Sequence, residues 1–308
     1  MARTDIGGQA VIEGVMMKGR KVYAVSVRKT DGEIATQIEK TQSWLDKYKI
    51  CRLPIFRGMV VFVESLVVGL KTLTYSAELY GDEEEEEEPS KLEKWLMDKL
   101  GEKAEKVLLA CTMALSFVLA IGLFMVLPML ISQLFKGIVP SSIARNFIEG
   151  AIRILIFLGY MKLVSKMKDI QRTFEYHGAE HKTINCLELG KDLTVENVRS
   201  CTRLHKSCGT SFLFVVMVVS ILVFSVFTTD VLWMRTLIRI VMVPVVAGIS
   251  YEFIRWARKS PENKLAQLLS APGMWLQDKF TTLEPDDKQI EVAIHAVKGV
   301  LDYESQHE

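Results

Sequence analysis

The sequence predicts a mainly α-helical membrane protein with about four transmembrane helices, a small N-terminal β hairpin and further helices facing the cytosol. Three observations carry that prediction. Apolar residues make up 49% of the 308 residues, and mean hydropathy is +0.21. Charged side chains are absent between Lys106 and Lys136 and again from Ser207 to Thr229, stretches longer than the roughly 20 residues a helix needs to cross a bilayer. Lys and Arg gather in the segment between those stretches.

Residues 1–50 read as a cytosolic β element. Apolar and polar residues alternate across 22–40 on either side of Thr30-Asp31-Gly32, and Asp-Gly between two such runs signals a hairpin. The preceding GGQAVIEGVMMKG adds a strand or a glycine-rich turn. Its glycines (Gly7, Gly8, Gly14, Gly19) lack the spacing of a phosphate loop, so they point to close backbone packing. MARTDIGGQA holds no apolar core of signal-peptide length, so no cleavage is expected.

Residues 51–80 change to helical periodicity. Arg57, Glu64, Lys71 and Glu78 recur every seventh position as one narrow polar stripe, while Met59 to Val63 and Leu66 to Val68 cover the remainder. Such a helix is expected to lie in the membrane interface or against the spans. Residues 81–91, with Glu83 to Glu88, form a self-repelling acidic linker.

Residues 92–254 are the expected four-span membrane domain. Beside the two uncharged stretches stand two weaker spans, 143–164 with Glu149 and Arg153, and 236–254 with Arg239 and Glu252. Charges inside a bilayer are tolerated where they face protein, and Glu149 has Arg153 or Arg239 as its expected partner. The loop 165–209 carries Lys166, Lys168, Arg172, Lys182, Lys191, Arg199, Arg203 and Lys206, which makes it cytosolic and puts both termini on that side. Residues 255–308 supply cytosolic helices. Ser260-Pro261-Glu262 reads as a helix start, Ala271-Pro272-Gly273 as a break, and Glu284-Pro285-Asp286-Asp287 as the opening of a last helix with Ile290, Ala293, Ile294 and Val297 on its apolar face.

The chemistry concentrates in the loop. YHGAEHK places His177, Glu180 and His181 on one helical face: two imidazoles a turn apart can bind one metal, with a carboxylate beside them to take a proton from water. A third ligand has to come from elsewhere, and Glu252, at the cytosolic end of the fourth span, is one candidate. Cys201, His205 and Cys208 form a second group at helical spacing, with Cys186 nearby. Two ligand sets compete: His177, His181 and Glu252 with an open position, or a closed set of His177, His181, His205 and Cys208. A thiolate in the set favours zinc; nitrogen and oxygen alone leave manganese or iron open. Plainer readings stand beside these. Gly178 weakens the helix, His205 contacts lipid headgroups, Cys201 and Cys208 pack between helices as Cys111 does, and Glu252 pairs with Arg255. Five cysteines facing the cytosol read as thiols or ligands, not disulfides.

GGQAVIEGVMMKG, YHGAEHKTINC, RLHKSCGTSF, APGMWLQ and TTLEPDD together resemble the YqhQ-like family of bacteria, and the likeness covers nearly the whole chain. The resemblance implies a multi-pass protein of the bacterial cytoplasmic membrane and a metal-dependent enzyme, and it lends weight to His177, Glu180 and His181.

The function expected from these residues is a metal-dependent hydrolase at the cytosolic membrane face, with zinc or a similar divalent metal, Glu180 as base, and an amide or ester as substrate. A non-catalytic scaffold or insertion factor for membrane proteins is the alternative, with a structural metal or none. A transporter ranks third, because few ionisable groups line the spans. The expected partners are the lipid bilayer and other membrane proteins or a second copy. With 38 basic against 37 acidic residues, no bulk charge is left for nucleic acid.

Overall fold

Glycine-rich and β-branched segments open the chain as a sheet, and long apolar helices follow. In the computed structural model, residues 6–81, 98–99, 101, 104–206, 208–227, 229, 231–260 and 262–307 are described. The strands are β1 (Gly7–Val11), β2 (Gly14–Lys18), β3 (Val22–Arg28) and β4 (Ile34–Lys40). The longer helices, in chain order, are α1 (Phe56–Gly81), α2 (Ala104–Ile121, continued by a π turn Gly122–Val126 and by Leu127–Gln133), α3 (Ser142–Val164), α4 (Lys168–Glu188), α5 (Gly209–Val226), α6 (Leu232–Lys259), α7 (Lys264–Leu276) and α8 (Asp287–Gln306). The chain forms two compact units, one of Met1–Asp82, Tyr160–Ser220 and Met242–Glu308, the other of Glu83–Gly159 and Ile221–Val241. The acidic residues 82–91 lie outside the described residues.

In the first unit, the single expected hairpin is one half of a four-stranded antiparallel meander in the order β1-β2-β3-β4. The glycine-rich opening supplies the other half because glycine alone fits: a Cβ on Gly14 would stand 2.3 Å from the Ser26 carbonyl oxygen. Glu13, at the tip, has a φ of 47°. Arg172 pairs with its carboxylate and Tyr176 donates to it, which offsets the strain of that left-handed conformation. The sheet buries both faces. Val15, Met17, Val22 and Ala24 join Tyr176, Ala179, Ile290, Ala293 and Val297 in one core, and Val11, Met16, Tyr23, Val25 and Val27 meet Val68, Tyr75 and Leu79 of α1 in another.

Three of the four residues in the polar stripe of α1 make tertiary pairs. Arg57 pairs with Glu252, Glu64 accepts from the Trp44 amide and from Ser43, and Lys71 pairs with Glu39. Val63, Leu66, Val67, Leu70 and Leu73 stay exposed. α4 runs unbroken through Gly178, which is needed for close approach: a Cβ there would lie 2.0 Å from the Leu283 carbonyl oxygen, and Leu283 N–H donates to the Phe174 carbonyl at 2.9 Å. α7 starts three residues later than expected. Ser260 N–H still bonds back to Trp256, closing α6, while the Asn263 side chain accepts from Leu265 as the N-cap. Pro272 lies inside α7, not at a break, because Gly273 lets that turn lie against Ser211, whose Cα would be 2.5 Å from an added Cβ. α8 opens at Asp286 with a reciprocal capping box to Gln289.

Among the described residues, three helical segments, not four, are long and apolar enough to cross a membrane: Val107–Gln133, Gly209–Val226 and Trp233–Lys259. The expected span 143–164 is a helix, α3, but carries Arg145, Glu149 and Arg153. In the second unit these side chains are buried, and Glu149 pairs with Arg153 of α3 and with Arg235 and Arg239 of α6.

Gly178→Ala is expected to cost about 1–3 kcal/mol through overpacking, seen as a lower thermal midpoint in detergent. Gly159→Ala, with nothing within 4 Å of its Cβ, serves as the control and leaves the midpoint unchanged or raised.

Candidate metal centre

α4 presents His177, Glu180 and His181 on one face, and Cys208 meets them from the N-terminal end of α5. Each imidazole is oriented by a backbone carbonyl. His177 Nδ1 lies 2.7 Å from the Thr281 oxygen and His181 Nδ1 lies 2.7 Å from the Arg203 oxygen. A carbonyl only accepts, so both Nδ1 atoms carry protons, and in the neutral imidazole the lone pair then sits on Nε2. His177 Nε2 lies 3.1 Å from Cys208 Sγ, and His181 Nε2 is buried with no partner. His177, His181 and Cys208 bring ligand atoms within 4.8 Å of one another. A backbone carbonyl behind each imidazole is the usual support of a metal-binding histidine.

The carbonyls are themselves held in place. Arg203 reaches the Thr282 carbonyl at 2.8 Å and Asp278 at 2.9 Å, and Asn185 Nδ2 donates to the Thr202 carbonyl at 2.7 Å. Gln277 donates to the His205 carbonyl and accepts from its amide. Residues Thr202 to Lys206 and Cys208 are not helical, which contradicts the helical spacing read for Cys201, His205 and Cys208.

Glu180 is 4% exposed and its Oε2 has no partner. Gly8 N–H donates to this carboxylate, and burial pushes its pKa up to about 8. Gly8 has to be glycine here, since a Cβ would come within 2.9 Å of Glu180 Cδ. Burial drives His181 well below its ordinary value, which keeps it neutral, as a ligand must be. Burial raises the Cys208 thiol, while the amides of Thr210 and Gly209 at the start of α5 act in the opposite sense.

The other expected ligands are held elsewhere. Glu252 is engaged by both Nε and Nη2 of Arg57 and takes no part in the group; the expected pairing with Arg255 gives way to this one. The His205 ring lies tilted 5.7 Å from the His181 ring, but its Nε2 faces Glu188 at 3.6 Å. Cys201 and Cys186 are buried in the core of the first unit. Sequence reasoning missed Gly8, Thr281, Arg203, Asn185 and Gln277. Only the Gly7-Gly8 pair left a signal, since the others act through backbone atoms or amides that follow no spacing rule. A cavity of about 690 Å³ opens beside the group, lined by β1, by Val61, Ser65 and Val68 of α1, by Glu180 and by Cys208.

In metal-free protein two titrations oppose each other. Glu180 holds its proton in the folded state, so its contribution to stability is complete below 4.5 and is lost as pH rises through about 8. His181 stays neutral when folded, so stability is lost as pH falls below 6.5. Above 6.5 the Glu180 slope acts alone. The thermal midpoint of chelator-treated protein is expected to fall between pH 6.5 and 8, and Glu180→Gln to flatten that fall.

A family profile described as a protein of unknown function (DUF1385) matches residues 53–303. The chain is also 37% identical over 303 residues to the uncharacterized protein YqhQ of Bacillus subtilis (strain 168), covering 98% of this chain and 94% of that protein. No solved structure matches.

Proposed function

Since the chain belongs to the DUF1385 family, whose description assigns no activity, we propose from the geometry of the site that it is a zinc-dependent hydrolase working at a membrane surface. The observation that carries this reading is the pair of imidazoles whose Nδ1 protons rest on backbone carbonyls, with one ligand atom from each imidazole and Cys208 Sγ all within 4.8 Å of one another. Two imidazoles and a thiolate form a donor set suited to zinc, and three protein ligands leave one position for substrate or water. When bound, zinc supplies Lewis-acid activation of water and of a carbonyl oxygen.

The protein's own groups do the rest. Glu180, buried beside the ligands, becomes able to accept a proton once positive charge stands next to it, and it can then pass that proton to a leaving nitrogen or oxygen. Glu180 and Gly8 both line the cavity, and the Gly8 amide favours the charged carboxylate. Read without metal, Cys208 and His177 would be a nucleophile pair, but a nucleophilic thiol requires a depressed pKa, and burial raises this one. A non-catalytic scaffold is the second reading, supported by the exposed apolar row of Val63, Leu66, Val67, Leu70 and Leu73 on α1, which fits a bilayer interface or a membrane-protein partner.

Chain connectivity supports a position for the site: β3, α4 and α8 share one core, which favours putting the segments on either side of Val107–Gln133 on one face of a membrane. If that segment crosses, α3 has to return, with its buried Arg and Glu facing protein. This proposal has four crossings, with the Lys- and Arg-rich segment and both termini in the cytosol of a bacterial cell. Cysteines introduced as Ile138→Cys and Glu196→Cys test it: an impermeant maleimide is expected to label the first in intact cells and the second only after lysis. Labelling of both from outside contradicts it.

Elemental mass spectrometry of detergent-purified protein is expected to find about one zinc per chain. His177→Ala and Cys208→Ser lose it, whereas Glu252→Ala and Glu180→Gln keep it. Zinc-dependent cleavage of a fluorogenic peptide panel falls about 10²–10⁴-fold in Glu180→Gln. Full activity in that variant would refute Glu180 as the proton carrier and favour the scaffold.

A further inference from the structure

The cavity beside the ligand group is bounded along one wall by β1, and β1 is an outer strand of the sheet. The register determines which of its backbone groups face away from β2. Val11 and Gly14 close a two-residue hairpin as a hydrogen-bonded pair, so Gln9 with Met16 and Gly7 with Lys18 are hydrogen-bonded pairs too. The alternate residues, Gly8 and Ala10, turn their N–H and C=O outward. Gly8 bears this out, because its N–H is spent on Glu180. The Gly8 carbonyl and both Ala10 groups then form a short hydrogen-bonding ladder that ends at the carboxylate.

Apolar side chains face β1 across the cavity: Val61 and Val68 of α1, with Ser65 between them, and Leu213 of α5, while Glu188, His205 and Arg258 add polar groups to the lining. At about 690 Å³ the cavity is the size of a binding cleft, not a packing defect. β1 has five residues, about 17 Å of extended chain. We propose that the substrate is an extended polypeptide segment, which docks as an added strand on the outer edge of β1 with apolar side chains at alternate positions and runs its backbone past Glu180, His177 and Cys208. A lipid ester has no alternating N–H and C=O groups to satisfy such an edge, whereas strand addition satisfies it at each second residue. Cleavage consumes one water: the C–N bond breaks, the hydroxyl goes to the acyl carbon, and the proton taken by Glu180 goes to the leaving nitrogen. The cleavage step rests on the hydrolytic reading above; the docking does not.

Fluorescence anisotropy of the full-length, zinc-loaded protein with a fluorescein-labelled hexapeptide of alternating valine and threonine tests the docking. Two N-methylated forms, blocked on the odd or on the even amides, separate strand pairing from simple apolar binding. One form is expected to bind about tenfold or more weakly than the parent peptide, and the other nearly as well. Ala10→Pro removes an outward N–H without breaking the ladder to β2, so it is expected to weaken the parent peptide about tenfold while zinc content stays unchanged. Equal binding of both N-methylated forms, or no binding to zinc-loaded protein, overturns the docking and leaves the metal site standing. Alternating sensitivity in protein that takes up no zinc supports the docking and refutes the hydrolytic reading instead.

Discussion

Two hydrogen bonds, from His177 Nδ1 to the Thr281 carbonyl and from His181 Nδ1 to the Arg203 carbonyl, determine what this site can be. They place a proton on each Nδ1 and leave each Nε2 as the nitrogen free to bind, His177 Nε2 lying 3.1 Å from Cys208 Sγ. The carbonyls come from segments far apart in the chain. The Arg203 guanidinium ties these segments together by reaching Asp278 and Thr282, next to the carbonyl that orients His177. The first unit is thus arranged so that two loops and one helix face meet at a fixed spacing.

That arrangement costs stability locally. His181 and Glu180 are almost fully buried, one with a ring nitrogen and the other with a carboxylate oxygen that lacks a hydrogen-bond partner. Unsatisfied buried polar atoms of this kind cost roughly 1–3 kcal/mol each, and folds retain them where they serve binding or chemistry. The surrounding core offsets the cost. Tyr176, Ala179 and Ile184 on the same helix pack against the sheet and α8, so α4 is anchored by apolar neighbours on the very turns that carry the polar site.

The parts of the fold set by local composition were readable in the sequence. The uncharged stretches became helices long enough to span, the Asp-Gly turn became the β3–β4 hairpin, and Asp286 capped the last helix. Residues that act at long range were not readable. Glu252 looked like a ligand because its partner, Arg57, lies 195 positions away. Cys208 entered the expected closed set through its spacing from His205, but it reaches the site through the start of α5, while His205 turns to Glu188. Thr281 and Arg203 contribute carbonyls, and a carbonyl has no residue type to recognise. Gly8 left a trace only as one half of a glycine pair, whose purpose, close approach to Glu180, appears once the helix is placed beside the strand.

The account stands on the ligand set, and X-ray absorption at the zinc edge of the purified full-length protein tests it most directly. Two nitrogen scatterers at about 2.0–2.1 Å and one sulfur at about 2.3 Å, with one further light atom, are expected for His177, His181, Cys208 and an open position. A shell of oxygen and nitrogen without sulfur, or two sulfurs and a closed shell, would contradict it.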